Sequence, residues 1–189
     1  MLGICMVPAN ESSNDDGKII DLYLSQIANG DESALEDLYN RLRVNIFSYA
    51  LSVLKNRQDA EDIMHDCFLQ IWSAAPSYKS AGRPMAWIVT ITRNLCLMKL
   101  RERKNMAESA AEDWDVFIES KDELSHEDRA LITGCMNQLG DEERQVVVLH
   151  AVWGLKHREI ADYFGLSLST VLSKYRRAIK KLQRTLKGE

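Results

Sequence analysis

The C-terminal part of the sequence carries many cations at helical spacing, mixed with short hydroxyl side chains. They lie in the stretch HREIADYFGLSLSTVLSKYRRAIKKL, residues 157–182. Lysine and arginine on one face of a helix hold phosphate groups, whereas hydroxyls and arginine near the start of such a helix reach base edges. The pattern therefore predicts a helix that binds nucleic acid. The candidate residues are Ser167, Ser169, Thr170, Ser173, Lys174, Arg176, Arg177, Lys180 and Lys181.

Two short helices around a glycine turn are predicted to position these side chains. Ile160, Ala161 and Phe164 fall on one face of the first helix, and Gly165 follows where a left-handed backbone is needed. Ser167 is a candidate cap for the second helix. The order is typical of a helix-turn-helix motif, whose second helix enters the DNA major groove. A solvated surface helix is the alternative. The buried stripe of the second helix is predicted to be Val171, Tyr175, Ile179, Leu182 and Leu186.

Charge is distributed unevenly along the 189 residues, although the net charge is only −4. Residues 144–189 hold ten cations and three anions, whereas residues 105–143 hold two cations and twelve anions. Residues 1–104 are balanced, with 12 cations and 13 anions. A basic segment beside an acidic one predicts a polyanionic partner for the basic segment.

Amphipathic patterns with few helix breakers predict an all-α fold. The sequence has only three prolines and nine glycines, and 46% of its residues are hydrophobic. β-branched residues at 88–92 favour a strand locally, but Trp87, Ile91, Leu95 and Met98 keep a helical period. We predict a disordered leader at residues 1–17, a helical domain at 18–104, an acidic flexible linker at 105–124 and a second, smaller helical domain at 125–189.

Residues of the types that commonly perform catalysis or bind metals do not have the spacing of a catalytic or metal site in this sequence. Cys5, Cys67, Cys96 and Cys135 are scattered, which favours free buried thiols, with a redox or metal role as the alternative. No nucleophile–base constellation and no glycine loop for phosphate are recognisable, so we predict neither an enzyme nor a cofactor. No apolar run approaches the roughly 18 residues of a membrane span, and we expect a cytoplasmic protein.

Motifs in both halves of the chain resemble the extracytoplasmic-function (ECF) sigma factors of bacterial RNA polymerase. In the first half they are DAEDIMHDCFLQIW (59–72) and AWIVTITRN (86–94), followed by Arg101. In the second half they are EERQVVVLHAVWGLKHREIADYFGLSLSTV and SKYRRA. The resemblance covers about Lys18 to Leu186. It implies two helical domains, of sigma-2 and sigma-4 type, that bind core RNA polymerase and recognise the −10 and −35 promoter elements without enzymatic activity.

The resemblance also implies roles for particular residues. The −35 element would be read by the helix-turn-helix residues named above, and Trp87 would either pack in the core or stack on a base. Docking on the polymerase is implied for Asp59, Glu61, Asp62, Asp66, Gln70 and Trp72. Recognition and melting of the −10 element are implied for the loop SYKSAGR (77–83) and the helix after it, through Tyr78, Lys79, Arg83, Arg93, Asn94, Arg101, Arg103 and Lys104.

Four positions depart from the pattern of the family. His65 stands where Gln is usual, Met98 where Asp is usual, and Ser169 where Gly is common. Leu172 replaces a basic or polar residue and is a candidate contact for a thymine methyl group. These departures leave the fold unchanged but leave the promoter sequence open.

The resemblance implies an alternative sigma factor in a stress or envelope response, held inactive by an anti-sigma factor. The alternative is a stand-alone helix-turn-helix regulator whose N-terminal half is a sensor or dimerisation domain. The segment Asp59 to Arg101 distinguishes them, because it resembles a polymerase-docking and melting domain. The acidic linker is also a candidate inhibitor of the basic helix.

Overall fold

The architecture consists of helices throughout the part of the chain that is described. The computed structural model describes residues 12–80, 82–106 and 134–187, and every regular element in these ranges is helical. The prediction of an all-α fold is confirmed, including a helix rather than a strand at residues 88–92. The helices with both ends described are α1 (Ser12–Ala28), α2 (Glu32–Leu54), α3 (Arg57–Ala74), α4 (Pro84–Met106), α5 (Asp141–Ala151), α6 (His157–Phe164) and α7 (Leu168–Lys187), with a 3-10 turn at Ala75–Ser77. Residues 134–137 are also helical.

Local side-chain chemistry sets the boundaries of α2 and α3. Asp31 caps α2, because its Oδ1 accepts hydrogen bonds from the backbone N–H groups of Ser33 (3.0 Å) and Ala34 (3.3 Å). Lys55 ends α2 in a left-handed conformation with φ of 54°. The next residue, Asn56, accepts a hydrogen bond of 3.0 Å from the N–H of Asp59 and so begins α3.

The first four helices pack around α2, which contacts α1, α3 and α4. Each contributes apolar side chains that are completely or almost completely buried, and burial of one such side chain stabilises the fold by roughly 1.5–3 kcal/mol. These side chains include Leu24, Leu38, Ile46, Ile71 and Ile88.

The last three helices pack against one another, and their Leu149, Ile160, Val171 and Ala178 have no exposed surface. The buried guanidinium of Arg144 connects α5 to the segment before it. It donates hydrogen bonds to the carbonyls of Met136 (3.2 Å) and Leu139 (2.9 Å) and forms an ion pair with Asp141 (3.1 Å). A buried charge needs such partners, and here one cation is satisfied by two backbone carbonyls and one carboxylate.

The two groups of helices contact each other through α2 and α5. The amide of Asn45 donates to the carbonyl of Val152, and Trp153 Nε1 donates to the carbonyl of Asn45, both at 2.8 Å. The hydroxyls of Tyr49 and Tyr163 also lie 2.8 Å apart. The sequence indicated no contact of this kind.

Helix α1 differs from the sequence-based prediction, because it begins at Ser12, inside the predicted disordered leader. Its first turns gain a tertiary partner, since Asp16 forms an ion pair with Arg41 of α2. Residues 1–11 lie outside the described part. So does the predicted linker, apart from residues 105–106, which continue α4. The domain limits 18–104 and 125–189 stay predictions. No helix among the described residues has the length and apolar character to cross a membrane.

Candidate nucleic-acid interface

The helix pair α6–α7 has the predicted turn and cap. Gly165 takes a left-handed conformation with φ of 65°, and the next N–H, that of Leu166, donates to the carbonyl of Ala161 at 3.0 Å. Ser167 Oγ accepts a hydrogen bond of 3.2 Å from the N–H of Thr170 at the start of α7. The buried side chains of Ile160 and Val171 lie where the helices cross. Both elements of the sequence-based prediction are confirmed.

Three of the predicted DNA-binding cations on α7 form ion pairs within the same group of helices. Lys174 pairs with Glu142, Arg177 with Glu143 (3.4 Å) and Lys181 with Glu143 (2.6 Å). Burial by itself would raise the pKa of Glu143, but hydrogen bonds from Lys181 and the Gly140 N–H, with the charges of Lys181 and Arg177, lower the pKa overall. The carboxylate therefore stays ionised and holds part of the basic face of α7.

The remaining candidates on α7 lie at the surface. Thr170 is half-buried, and its hydroxyl lies 2.8 Å from that of Ser167. In the described part of the chain no carboxylate pairs with Arg176 or Lys180, nor with Arg184, which follows on the same helix. The exposed candidates are Ser167, Ser169, Ser173, Arg176, Arg177, Lys180 and, beyond the predicted set, Arg184.

The loop between α3 and α4 is held by contacts on both sides of Lys79. Tyr78 donates a hydrogen bond of 2.6 Å from its hydroxyl to Asp21 of α1, and Ser80 donates one of 3.0 Å to the same carboxylate. The ring of Tyr78 also packs on Trp87, with centroids 4.7 Å apart. Trp87 is half-buried against the core, as its helical stripe predicted. Lys79 is exposed.

The candidates on α4 divide into exposed and engaged side chains. Asn94, Arg101 and Lys104 are exposed. The guanidinium of Arg93, by contrast, lies 5.3 Å from the ring centroid of Tyr163 in α6, a cation–π contact between the two groups of helices. Arg103 exposes only 14% of its side chain.

Arg103 and Asp59 form an ion pair that connects the start of α3 to α4. Lys99 lies 3.3 Å from the other oxygen of Asp59, and Arg103 donates to the carbonyl of Leu54 at 3.1 Å. Asp59 exposes only 13% of its side chain. Neither side chain is placed at the surface, although Arg103 was predicted to contact DNA and Asp59 the polymerase.

Arg83, at the end of the loop, is exposed and its guanidinium lies 3.8 Å from Asp162 of α6. The loop residue thus contacts the second group of helices, as Arg93 does.

Helix α3 presents acidic and apolar side chains together. Asp62, Asp66 and Gln70 are exposed, as expected for a docking surface, while Glu61 pairs with Arg57 at 2.7 Å. Trp72 is half-buried against the core. The sequence analysis missed Leu69, which exposes 68% of its surface. Its signal was an apolar residue outside the buried stripe of Ile63, Cys67 and Ile71.

No metal site is formed by the residues described here: no three His, Cys, Asp or Glu side chains converge. Cys67, Cys96 and Cys135 are buried free thiols, as predicted, and Cys5 lies outside the described residues. Burial is the main reason why the pKa of the Cys67 thiol rises to about 12, so this thiol stays protonated.

Comparison with known proteins identifies both groups of helices. Residues 38–106 match the family model for sigma-70 region 2, and residues 129–182 match that for sigma-70 region 4. The chain is 28% identical over 174 residues to the ECF RNA polymerase sigma factor SigK of Mycobacterium sp. (strain KMS), covering 88% of this chain and 90% of the relative. It is 24% identical to SigK of Mycolicibacterium vanbaalenii, covering 88% of this chain and 89% of that protein.

Two solved structures share the fold. One is CnrH in complex with the cytosolic domain of CnrY, with a TM-score of 0.62, 23% identity and coverage of 90% of this chain and 99% of CnrH. The other is the sigma factor RpoE in complex with the anti-sigma factor NepR from Bartonella quintana, with a TM-score of 0.67, 21% identity and coverage of 80% and 96%.

A chain whose described residues form only helices, with a basic helix-turn-helix and a second helical unit of region-2 type, defines a two-part transcription initiation factor. The chain belongs to the ECF group of the sigma-70 family.

Proposed function

We propose that this chain is an alternative sigma factor that binds core RNA polymerase and directs promoter-specific initiation. In this proposal α7 reads the −35 element, and the loop at residues 77–83 together with α4 reads and melts the −10 element. The observation that carries the proposal is the presence of both sigma-70 regions in one chain, each on its own group of helices. A stand-alone regulator would need only the second region.

The exposed face of α3 supports docking on the polymerase. Asp62 and Asp66 provide charge that steers encounter and fixes orientation, while Leu69 between Asp66 and Gln70 provides apolar surface for burial. The buried ion pair of Asp59 stabilises the beginning of this helix instead of contributing to its surface.

The promoter-reading residues fall into two classes in this proposal. Exposed hydroxyls and Arg176 near the start of α7 are placed to reach base edges, whereas Lys180 and Arg184 further along are placed to hold phosphate. At the −10 element, Lys79, Asn94, Arg101 and Lys104 offer exposed polar and cationic groups to a separated strand. The proposal is a binding role without catalysis, in keeping with the family.

We also propose that an anti-sigma factor controls this chain, within a stress or envelope response. Support comes from the two similar structures, since RpoE is bound there to the anti-sigma factor NepR and CnrH to the cytosolic domain of CnrY. Their identity to this chain is low, so the type of anti-sigma factor and the signal are not part of the proposal.

Transcription from a library of random upstream sequences tests the main proposal. Purified core polymerase, with and without this chain, should yield transcripts that depend on the chain and share two sequence motifs. The variant Asp62→Lys with Asp66→Lys should abolish them but keep duplex binding by the free protein. Glu36→Lys with Asp37→Lys on the exposed part of α2 makes the same charge change and is the control. Tight duplex binding with no dependent transcript would instead identify a stand-alone regulator.

A further inference from the structure

Asp21 of α1 connects two distant parts of the sequence. Its Oδ1 accepts a hydrogen bond from the hydroxyl of Tyr78, 57 residues away, and its Oδ2 accepts one from the hydroxyl of Ser80, 59 residues away. Both oxygens of one carboxylate are therefore bound by the same loop, at 2.6 Å and 3.0 Å. Nothing in the sequence pattern of α1 assigns a role to this residue.

Tyr78 is held from three directions. Its N–H donates to the carbonyl of Ala75 at 3.0 Å, its ring packs on Trp87 with centroids 4.7 Å apart, and its hydroxyl donates to Asp21. Burial first, and then the hydrogen bond and negative charge of Asp21, raise the pKa of Tyr78. The phenol is therefore a hydrogen-bond donor over the whole physiological pH range.

The two bound residues lie on either side of Lys79. Because Tyr78 and Ser80 are both fixed to Asp21, the backbone of Lys79 is fixed as well, while its side chain is exposed. Arg83 is also exposed at the end of the same loop. A loop that is already ordered loses less conformational entropy when it binds a strand, and it presents its cations in one geometry.

We propose that Asp21 is a positioning residue for the loop that reads the −10 element. It orders the loop through Tyr78 and Ser80, touches no DNA itself, and makes recognition of the melted strand selective. This inference rests on the proposed function, because it takes the loop at residues 77–83 as the strand-reading segment.

The direct test uses the holoenzyme on the promoter that the library experiment identifies. Asp21→Ala removes both acceptors, and Tyr78→Phe removes one donor while keeping the ring on Trp87. Binding of a fluorescent single-stranded −10 oligonucleotide is measured for the preferred sequence and for each single-base substitution. We expect Tyr78→Phe, which loses one hydrogen bond to a charged group, to lower discrimination between preferred and substituted bases about tenfold or more. Asp21→Ala, which loses two such hydrogen bonds, should lower it at least as much.

A double-mutant cycle separates positioning from general stabilisation. If Asp21 acts through the hydroxyl of Tyr78, the combined variant should discriminate no worse than Asp21→Ala alone. Asp21→Asn, which keeps an acceptor oxygen for Tyr78, should restore a large part of the discrimination. Glu36→Ala removes an exposed carboxylate from α2 and should change nothing. Circular dichroism establishes folding, and Tyr78→Phe remains the decisive variant if Asp21→Ala fails to fold.

The possible failures are distinguishable. Unchanged base discrimination in both variants, with a wild-type holoenzyme that opens the promoter, would overturn the role of Asp21 alone. Lower thermal stability with unchanged discrimination would also overturn it. A wild-type chain that yields no dependent transcript with core polymerase would overturn the proposed function itself.

Discussion

Glu143 pairs with two of the α7 cations that are proposed to bind DNA. It accepts a hydrogen bond from Lys181 at 2.6 Å and lies 3.4 Å from Arg177, while its neighbour Glu142 holds Lys174. Under the proposed function, we therefore expect fewer phosphate contacts than this helix has positive charges. The two adjacent lysines, Lys180 and Lys181, provide a matched pair that tests this point.

We predict different effects for Lys180→Ala and Lys181→Ala. Lys180 is exposed, and if it contacts phosphate its removal should flatten the slope of log K against log salt by about 0.9 for all sequences. Lys181 is engaged with Glu143, so its removal should leave the salt slope nearly unchanged and lower the stability of the helix group instead. Fluorescence anisotropy on a −35 duplex at several salt concentrations measures the slopes. Equal slopes for the two variants would contradict this division.

At the scale of elements, the turn between α6 and α7 depends on one backbone conformation. Gly165 has φ of 65°, and a Cβ at this position would meet no atom within 4 Å. The cost of a side chain there is therefore confined to the backbone. Gly17 inside α1 is also in open space but has no positive φ, which makes it a suitable comparison.

Alanine at these two glycines should have effects of opposite sign. Gly165→Ala should destabilise the protein by about 1–2 kcal/mol, because an L-residue is strained in the left-handed region. Gly17→Ala should stabilise it by roughly 0.5–1 kcal/mol, because glycine weakens a helix interior. Urea unfolding followed by circular dichroism measures both. A neutral or stabilising Gly165→Ala would show that the turn tolerates a different backbone.

The junction of α5, α6 and α7 contains a pair of histidines against one tyrosine. The rings of His150 and His157 lie 4.1 Å apart, and both contact Tyr175. His157 Nε2 is buried without a hydrogen-bond partner among the described residues. Burial first, and the nearby His150 second, lower the pKa of His157 below its usual 6.5.

Stability of this junction should fall in mild acid. Below about pH 6.5 the unfolded chain binds a proton at His157 that the folded chain does not, so the free energy of unfolding rises with pH through this window. The free energy of unfolding has its full value above the ordinary pKa of 6.5. It decreases as the pH falls toward the lowered pKa of His157 in the folded chain. Urea titrations from pH 5 to 8 should show this slope in the wild type and a smaller one in His157→Gln. Identical slopes would exclude His157 as the cause.

At the scale of the whole molecule, the two groups of helices are in contact, and residues predicted to bind DNA lie between them. Arg93 packs on Tyr163 and Arg83 lies near Asp162. Under the proposed function, Arg93 cannot hold a DNA strand while it packs on Tyr163, so we expect binding of the −10 element to separate the groups. A cavity of about 780 Å³ between them, lined in part by Arg41 and Trp153, leaves the contact incompletely packed.

We predict that weakening this contact opens the molecule. Asn45→Ala removes the hydrogen bond to Val152, and Tyr163→Phe removes the one to Tyr49 while keeping the ring under Arg93. Each hydrogen bond contributes about 1 kcal/mol, so the double variant should be more extended. Small-angle scattering of the free protein measures the radius of gyration. Tyr39→Phe, a tyrosine packed on Phe68 within the first group, is the control. An unchanged radius in the double variant would mean that other contacts hold the arrangement.

The sequence alone determined the features that depend on neighbouring residues. Helical periods located the helices, including α4 despite its β-branched residues. Gly165 and Ser167 were recognisable because caps and turns are formed within four residues of the chain. The motifs of both sigma-70 regions are similarly local, so the family could be recognised without coordinates.

Tertiary structure alone decided which candidate side chains are available. Asp59 and Arg103, Glu143 and Lys181, and Asp21 and Tyr78 are partners separated by 38 residues or more. The sequence pattern does not show which of these side chains are buried or paired. Periodicity gives the face of a helix on which a residue lies, but not what packs against that face. The same limit hid the contact between the two groups of helices and the exposure of Leu69. Pairing across the chain depends on the packing of whole helices, which no local pattern encodes.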